Sequence, residues 1–129
     1  MSTGSEPNVE EITIDDIPTD IDDEEPLARR ISPGFRRDDG RISSQAFTDT
    51  EMSVDRHAYR SADRSLLGYE GFGLAKFKTA EARKLGQEVV ARCELLNPAH
   101  AQVNGKKTGS IRKALARASS WVVPIPEVN

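Results

Sequence analysis

The residues best suited to chemistry lie in Gly105-Lys106-Lys107-Thr108-Gly109-Ser110 and the stretch that follows. Lys106, Lys107, Arg112, Lys113 and Arg117 supply five cations, and no acidic residue occurs between Leu95 and Pro126. Thr108 stands just ahead of an amphipathic segment. The first N–H groups of a helix have no intrahelical partner and carry partial positive charge. Flexible glycines, two lysines and such a helix start together suit a phosphate or another anion. The spacing is not that of a P-loop, which needs a glycine five residues before the Gly-Lys pair, where this chain has His100. Nucleoside triphosphate hydrolysis is therefore disfavoured. The plainer reading is an amphipathic helix with a solvated basic face.

Three further residues are catalytic candidates: His100, Ser44 and Arg30. His100 follows Asn97-Pro98-Ala99 and shares a strand face with Gln102, and a histidine there can act as acid, base or ligand near neutral pH. A structural strand histidine is the simpler alternative. Ser43, Ser44, Ser53, Thr108 and Ser110 offer hydroxyls, but none lies in a nucleophile-elbow pattern. Cys93, on an extended segment, reads as a small core residue. Arg29, Arg30, Arg36 and Arg37 form a cluster whose guanidinium forks suit phosphate or carboxylate. The nearest carboxylates are those of the acidic segment just before it, so a self-contact is as natural as a ligand site.

The elements that must position these groups are short. Extended structure is expected at 28–32, 41–47, 52–55, 71–78, 88–93 and 99–103, with turns at Pro33-Gly34, Asp38-Asp39-Gly40 and Asn97-Pro98. In 71–78, Phe72 and Leu74 fall on one face and Ala75 and Phe77 on the other, as in a strand covered on both sides. Short helices are expected at 62–67, stopped near Gly68, and from Thr79 as cap to Leu85, stopped by Gly86. The clearest helix is 110–120, where Ile111, Ala114, Leu115, Ala118 and Trp121 form one stripe of period 3.6. Seven aromatics are present, of which Phe47, Tyr69, Phe72, Phe77 and Trp121 are expected inside. The pattern is that of a small α+β domain of short strands with two or three helices, residues 28–129, preceded by an acidic tail, residues 1–27.

Charge separates these two parts. Residues 1–28 hold ten acidic groups and no Lys or Arg, whereas residues 29–129 hold 11 acids and 18 bases, a net of +7. Residues 1–27 lack aromatics and are expected to be disordered. Within them Ile12, Ile14, Ile17 and Ile21 punctuate the acid, and the alternation at Ile12-Thr13-Ile14 suits strand pairing with the sheet edge of a protein partner. The single cysteine excludes an internal disulfide framework, and with His57 and His100 it leaves too few ligands for a closed zinc site of thiolates and imidazoles. No metal and no cofactor is expected. No apolar run approaches the ~20 residues of a bilayer span. The acidic start is unlike a signal peptide. A cytoplasmic protein is the expectation.

Arg29-Arg30-Ile31-Ser32-Pro33, Ser43-Ser44-Gln45-Ala46-Phe47, Met52-Ser53-Val54-Asp55, Asn97-Pro98-Ala99-His100 and Gly105-Lys106-Lys107-Thr108 follow one another in that order. Together, over residues 29 to about 122, they resemble a group of small uncharacterised bacterial proteins. That resemblance implies a bacterial or phage-linked origin and a self-contained body, and draws interest to Arg30, Ser44, His100 and Lys106. It implies no activity. The functional expectation is a non-enzymatic accessory protein that engages a protein partner through its tail and basic body. Binding of nucleic acid or a phosphate anion through the 105–117 loop and helix is the first alternative. A small enzyme on a phosphate-bearing substrate, using His100, is the second.

Overall fold

Met52, Val54, Val103 and Phe77 lie at alternate positions of short β-branched or aromatic runs, and that period turns one side of each run toward a common core. The computed structural model, which describes residues 17–127, places six such runs in one antiparallel sheet. They are β1 (Pro26–Ile31), β2 (Glu51–Arg56), β3 (Gly73–Lys78), β4 (Glu88–Ala91), β5 (His100–Asn104) and β6 (Ser120–Val123). The order across the sheet is β4-β5-β2-β1-β3-β6. Helices α1 (Ala62–Ser65), α2 (Thr79–Lys84) and α3 (Gly109–Ala118) and two 3-10 turns, Pro33–Phe35 and Ser44–Phe47, complete a small α+β domain.

The register sorts the side chains. Leu27 pairs with Arg56 on one side and Phe77 on the other, and Met52 with Val103, so these residues share a face with Ile31, Val54, Ala75 and Ala101. Phe47 from the second 3-10 turn meets Phe77 edge-on at 6.5 Å, and Leu115 of α3 and Ala82 of α2 join the same buried cluster. The opposite face carries Arg30, Ser53, Asp55, Lys76, His100, Gln102 and Asn104. Leu74 and Ala28 are its buried apolar members, so β3 is covered on both sides at Leu74.

Several local expectations are corrected. Residues 41–47 are not a strand: Ile42 alone bridges to Arg36, after which Ser43 accepts a hydrogen bond from the Gln45 N–H and starts the 3-10 turn. Paired serines compete for backbone groups in this way and break a ladder. The stripe of α3 stops short of Trp121. The helix ends at Ala118, the Ser119 hydroxyl donates to the Leu115 carbonyl, and Trp121 sits opposite Ala75 in β6, where Val122, Val123 and the following Pro124 favour extended backbone. Thr79 is the first residue of α2 rather than its cap, and its hydroxyl donates to the Glu25 carbonyl at 2.8 Å. Tyr69 is exposed, not internal, and one face of its ring packs under the Arg30 guanidinium, 4.4 Å from the centroid.

The acidic segment divides at the edge of the described residues. Ile12, Ile14 and the disorder expected for residues 1–16 lie outside them. From Ile17 onward the chain is part of the body. Ile17 and Ile21 are buried, so neither is presented to a partner. Asp23 pairs with Arg83 at 2.6 Å, Glu24 with Lys78 at 2.9 Å and Glu25 with Arg56 at 2.6 Å. Apolar burial of two isoleucines and these ion pairs hold residues 17–27 where acid content alone implies disorder.

Candidate anion-binding cleft

The glycine-lysine segment does not form the site its sequence suggests. Lys107 is only 6% exposed. Its ammonium donates to the carbonyls of Val103 (2.9 Å), Gly105 (3.0 Å) and Thr50 (3.3 Å), which satisfies all three protons inside the protein. Burial and then the nearby Arg29 charge lower its pKa. Arg112 donates to the Lys107 carbonyl at 2.7 Å, and the Thr108 hydroxyl accepts from the Ile111 N–H as the cap of α3. Gly105 takes φ +149°, and a Cβ there would lie 2.8 Å from the Gln87 amide, whose nitrogen bonds the Lys106 carbonyl. Lys107 and Arg112 therefore fold the loop onto the sheet, while Lys106 and Thr108 are exposed. The bonds of Lys107, Thr108 and Arg112 within the protein are those of a structural loop.

The second half of the same helix has a different setting. Lys113 and Arg117, four residues and one turn apart on α3, line a cleft of 590 Å³ whose opposite bank is the turn bearing Arg37, Gly40 and Arg41. The spacing puts the two helix cations about 6 Å apart along the axis. Arg37 is placed by its own backbone, which pairs with Arg41 across the turn, and Gly40 closes that turn with φ +86°. Ser44, Ser119, Ser120 and Trp121 also line the cleft. The Trp121 Nε1–H donates to the Gly40 carbonyl at 2.9 Å and so ties the two banks together. Gly73 is required beneath it: a Cβ there would fall 2.7 Å from Trp121 Cζ3 and 2.8 Å from the Val123 carbonyl.

The balance of charge in the cleft is positive. Arg41 is matched by Asp39 at 2.8 Å, and the backbone N–H and side chain of Arg41 hold the Asp39 carboxyl below its ordinary pKa. Arg36, just outside, faces Glu127 at 3.4 Å. Among the described residues no carboxylate lies within ion-pair distance of Arg37, Lys113 or Arg117. The last carbonyls of α3 carry partial negative charge at this end. Ser119 blunts that effect, its N–H and hydroxyl bonding the Ala116 and Leu115 carbonyls.

The catalytic candidates do not converge. Ser44 lines the cleft, whereas Arg30 and His100 lie on the opposite face of the sheet. There Asp55, 2% exposed, accepts from the Ser65 hydroxyl (2.7 Å), the Asn97 side chain (2.8 Å) and Arg30 (3.2 Å), with Arg60 at 3.5 Å. This node fastens α1 and the β4–β5 loop to the sheet. His100 is the cross-strand partner of Asp55, but its Nδ1 lies 3.2 Å from the Arg92 carbonyl and 3.7 Å from Glu94. Sequence reasoning missed Asp55, Arg41 and Trp121 as organisers. A signal for Arg41 existed in the basic flanks of the Asp38-Asp39-Gly40 turn, but its meeting with α3 is long-range.

Among the described residues no group of three or more His, Cys, Asp and Glu is disposed to hold a metal ion, and no helix is long and apolar enough to cross a membrane. Comparison of the chain with protein-family models, with curated proteins and with solved structures finds no match.

Proposed function

We propose that this protein is a non-enzymatic binding module whose cleft between α3 and the 36–41 turn takes a phosphate-bearing anion. The observation that carries the reading is the set of three cations, Arg37, Lys113 and Arg117, that face one concave site without a carboxylate partner among the described residues. Charge-assisted hydrogen bonds from such groups are about twice as strong as neutral ones. The absence of a convergent acid, base and nucleophile in the cleft supports binding over turnover. A cytoplasmic setting accords with a single, half-buried cysteine.

Calorimetric titration of the full chain with inorganic tripolyphosphate at low salt tests this. Lys113→Glu should weaken binding at least about tenfold, equivalent to about 1.4 kcal/mol. Lys76→Glu, the same charge change on the opposite sheet face, should have little effect. Equal losses in both variants would mean that net charge, not the cleft, governs binding.

A second reading, engagement of a protein partner, draws on Leu95 and Leu96, which are 90% and 91% exposed. They form the tip of a tight turn closed by reciprocal Glu94 and Asn97 backbone bonds. A photo-crosslinker at position 96 should capture one defined species, and Leu95→Asp should abolish that capture without altering tripolyphosphate affinity.

A further inference from the structure

We infer that the cleft is built for a single-stranded nucleic acid, with phosphates on Arg37, Lys113 and Arg117 and one base against Trp121. The inference rests on the anion reading above and extends it to a ligand class. Four features lead to it.

The cations are spread along the cleft instead of converging on a point. Lys113 and Arg117 are one helical turn apart on one bank, and Arg37 stands on the other. Their axial separation of about 6 Å is comparable to the step between successive phosphates of an extended strand. A compact polyphosphate would concentrate its charge near the carbonyl end of α3, whereas a strand distributes one charge per cation.

Trp121 is the chain's one tryptophan, and two opposite edges of its indole are held by the protein. Nε1 donates to the Gly40 carbonyl, and Cζ3 rests over Gly73. With those edges engaged, the indole that lines the cleft is held in a fixed pose, which costs little ordering entropy on binding. Basic grooves with an aromatic platform are how sequence-tolerant single-strand binders work.

The remaining wall is polar and adaptable. Ser44 and Ser120 line the cleft with hydroxyls that have no protein partner among the described residues, suited to sugar and base edges. Finally, the cleft is of ligand size. At 590 Å³ it admits a few nucleotides and not the width of a duplex, and the exposed side of α3 forms its wall instead of projecting as a groove-reading helix.

The test uses the full chain and the intrinsic fluorescence of Trp121. A short oligothymidylate should quench that fluorescence and bind about 5- to 150-fold tighter than an abasic oligomer of equal length, the range expected for one stacked base. Its affinity should fall with salt with a log–log slope of about −2, from three phosphate contacts. Trp121→Leu, which removes the π surface together with the Gly40 hydrogen bond, should bring the two affinities together. If that variant fails to fold, the comparison of the two oligomers on the native chain still decides. Equal affinities without quenching, or a duplex or polyglutamate that binds as tightly as oligothymidylate, would overturn the inference and leave the anion reading standing. Should tripolyphosphate also fail to bind, the anion reading falls with it.

Discussion

Replacing Arg56 removes the group on which the acidic segment is folded. Its side chain is fully buried at the end of β2, yet it carries a charge. Nε and an Nη bond both carboxylate oxygens of Glu25, at 2.6 and 2.9 Å, and the remaining donors reach the carbonyls of Pro18 and, at 3.2 Å, Asp20. Burial alone would lower the Arg56 pKa, but the hydrogen bonds and charge of Glu25 outweigh it and the net shift is upward. Arg56→Met leaves Glu25, whose side chain is 9% exposed, without its counter-ion. Breaking one side of a buried pair costs about 3–5 kcal/mol, a large share of the ~5–15 kcal/mol of a typical domain. The stranded carbonyls add little, since Pro18 and Asp20 are exposed and water can reach them. Chemical denaturation should therefore show a loss of that size. The double variant Arg56→Met, Glu25→Met should be far less destabilised than the sum of its parts, because replacing both ions relieves the unpaired charge. Hydrogen exchange gives the local readout. The Thr79 and Ala80 amides, which donate to the Glu25 and Asp23 carbonyls at 3.0 and 2.9 Å, should lose protection first. A loss under about 1 kcal/mol with unchanged Thr79 and Ala80 exchange would refute the clasp.

Adjacent lysines should behave oppositely in the same denaturation assay. Lys107→Ala strands three carbonyls and should cost about 1–3 kcal/mol, whereas Lys106→Ala should stay within about 0.5 kcal/mol. Leu115→Ala, at a fully buried position of α3, should cost about 2–5 kcal/mol, and a change within 0.5 would remove Leu115 from the core. His57 gives a pH signature. Burial and then the Lys76 charge lower its pKa below the ordinary 6.5, so the unfolded chain binds this proton more readily than the folded one. Its contribution is present above about pH 6.5 and is lost as pH falls through the lowered folded value. Denaturation midpoints should drop as pH falls below about 6.5, and His57→Gln should flatten that slope; an unchanged slope would assign the effect to other groups.

Much of the sheet was readable because its signals are local. Alternation in β2, β3 and β5 and the turn residues between them give strand limits within one or two positions, and the 3.6-residue stripe gives α3. The failures have physical causes. Ser43 and Ser44 divert a run with strand character into a capped 3-10 turn. Trp121 continues the helical period by coincidence, since Ser119 and the Val-Val-Pro that follows end the helix first. Ile17 and Ile21 are anchored by an arginine 35 or more residues away, a pairing that no window of local composition contains.

The site was half legible for the same reason. Periodicity finds Lys113 and Arg117, but only the fold sets them across from Arg37, and only the fold shows that the neighbouring Lys107 faces inward. A chain of net charge −3 with a pI near 5.4 reads as a poor host for an anion. Net charge describes solubility and long-range steering, however, while binding answers to the local field. In this fold the acids of the first strand's approach are consumed elsewhere: Asp23, Glu24 and Glu25 neutralise Arg83, Lys78 and Arg56, none of which lines the cleft. Asp49 and Asp55 likewise hold Arg29 and Arg30. Each of these acids is thereby held by a cation away from the cleft, and among the described residues none comes within ion-pair distance of Arg37, Lys113 or Arg117. The balance of charge among the described residues of the cleft is thus set by where the other cations are fastened, and it is positive in a protein that is acidic as a whole.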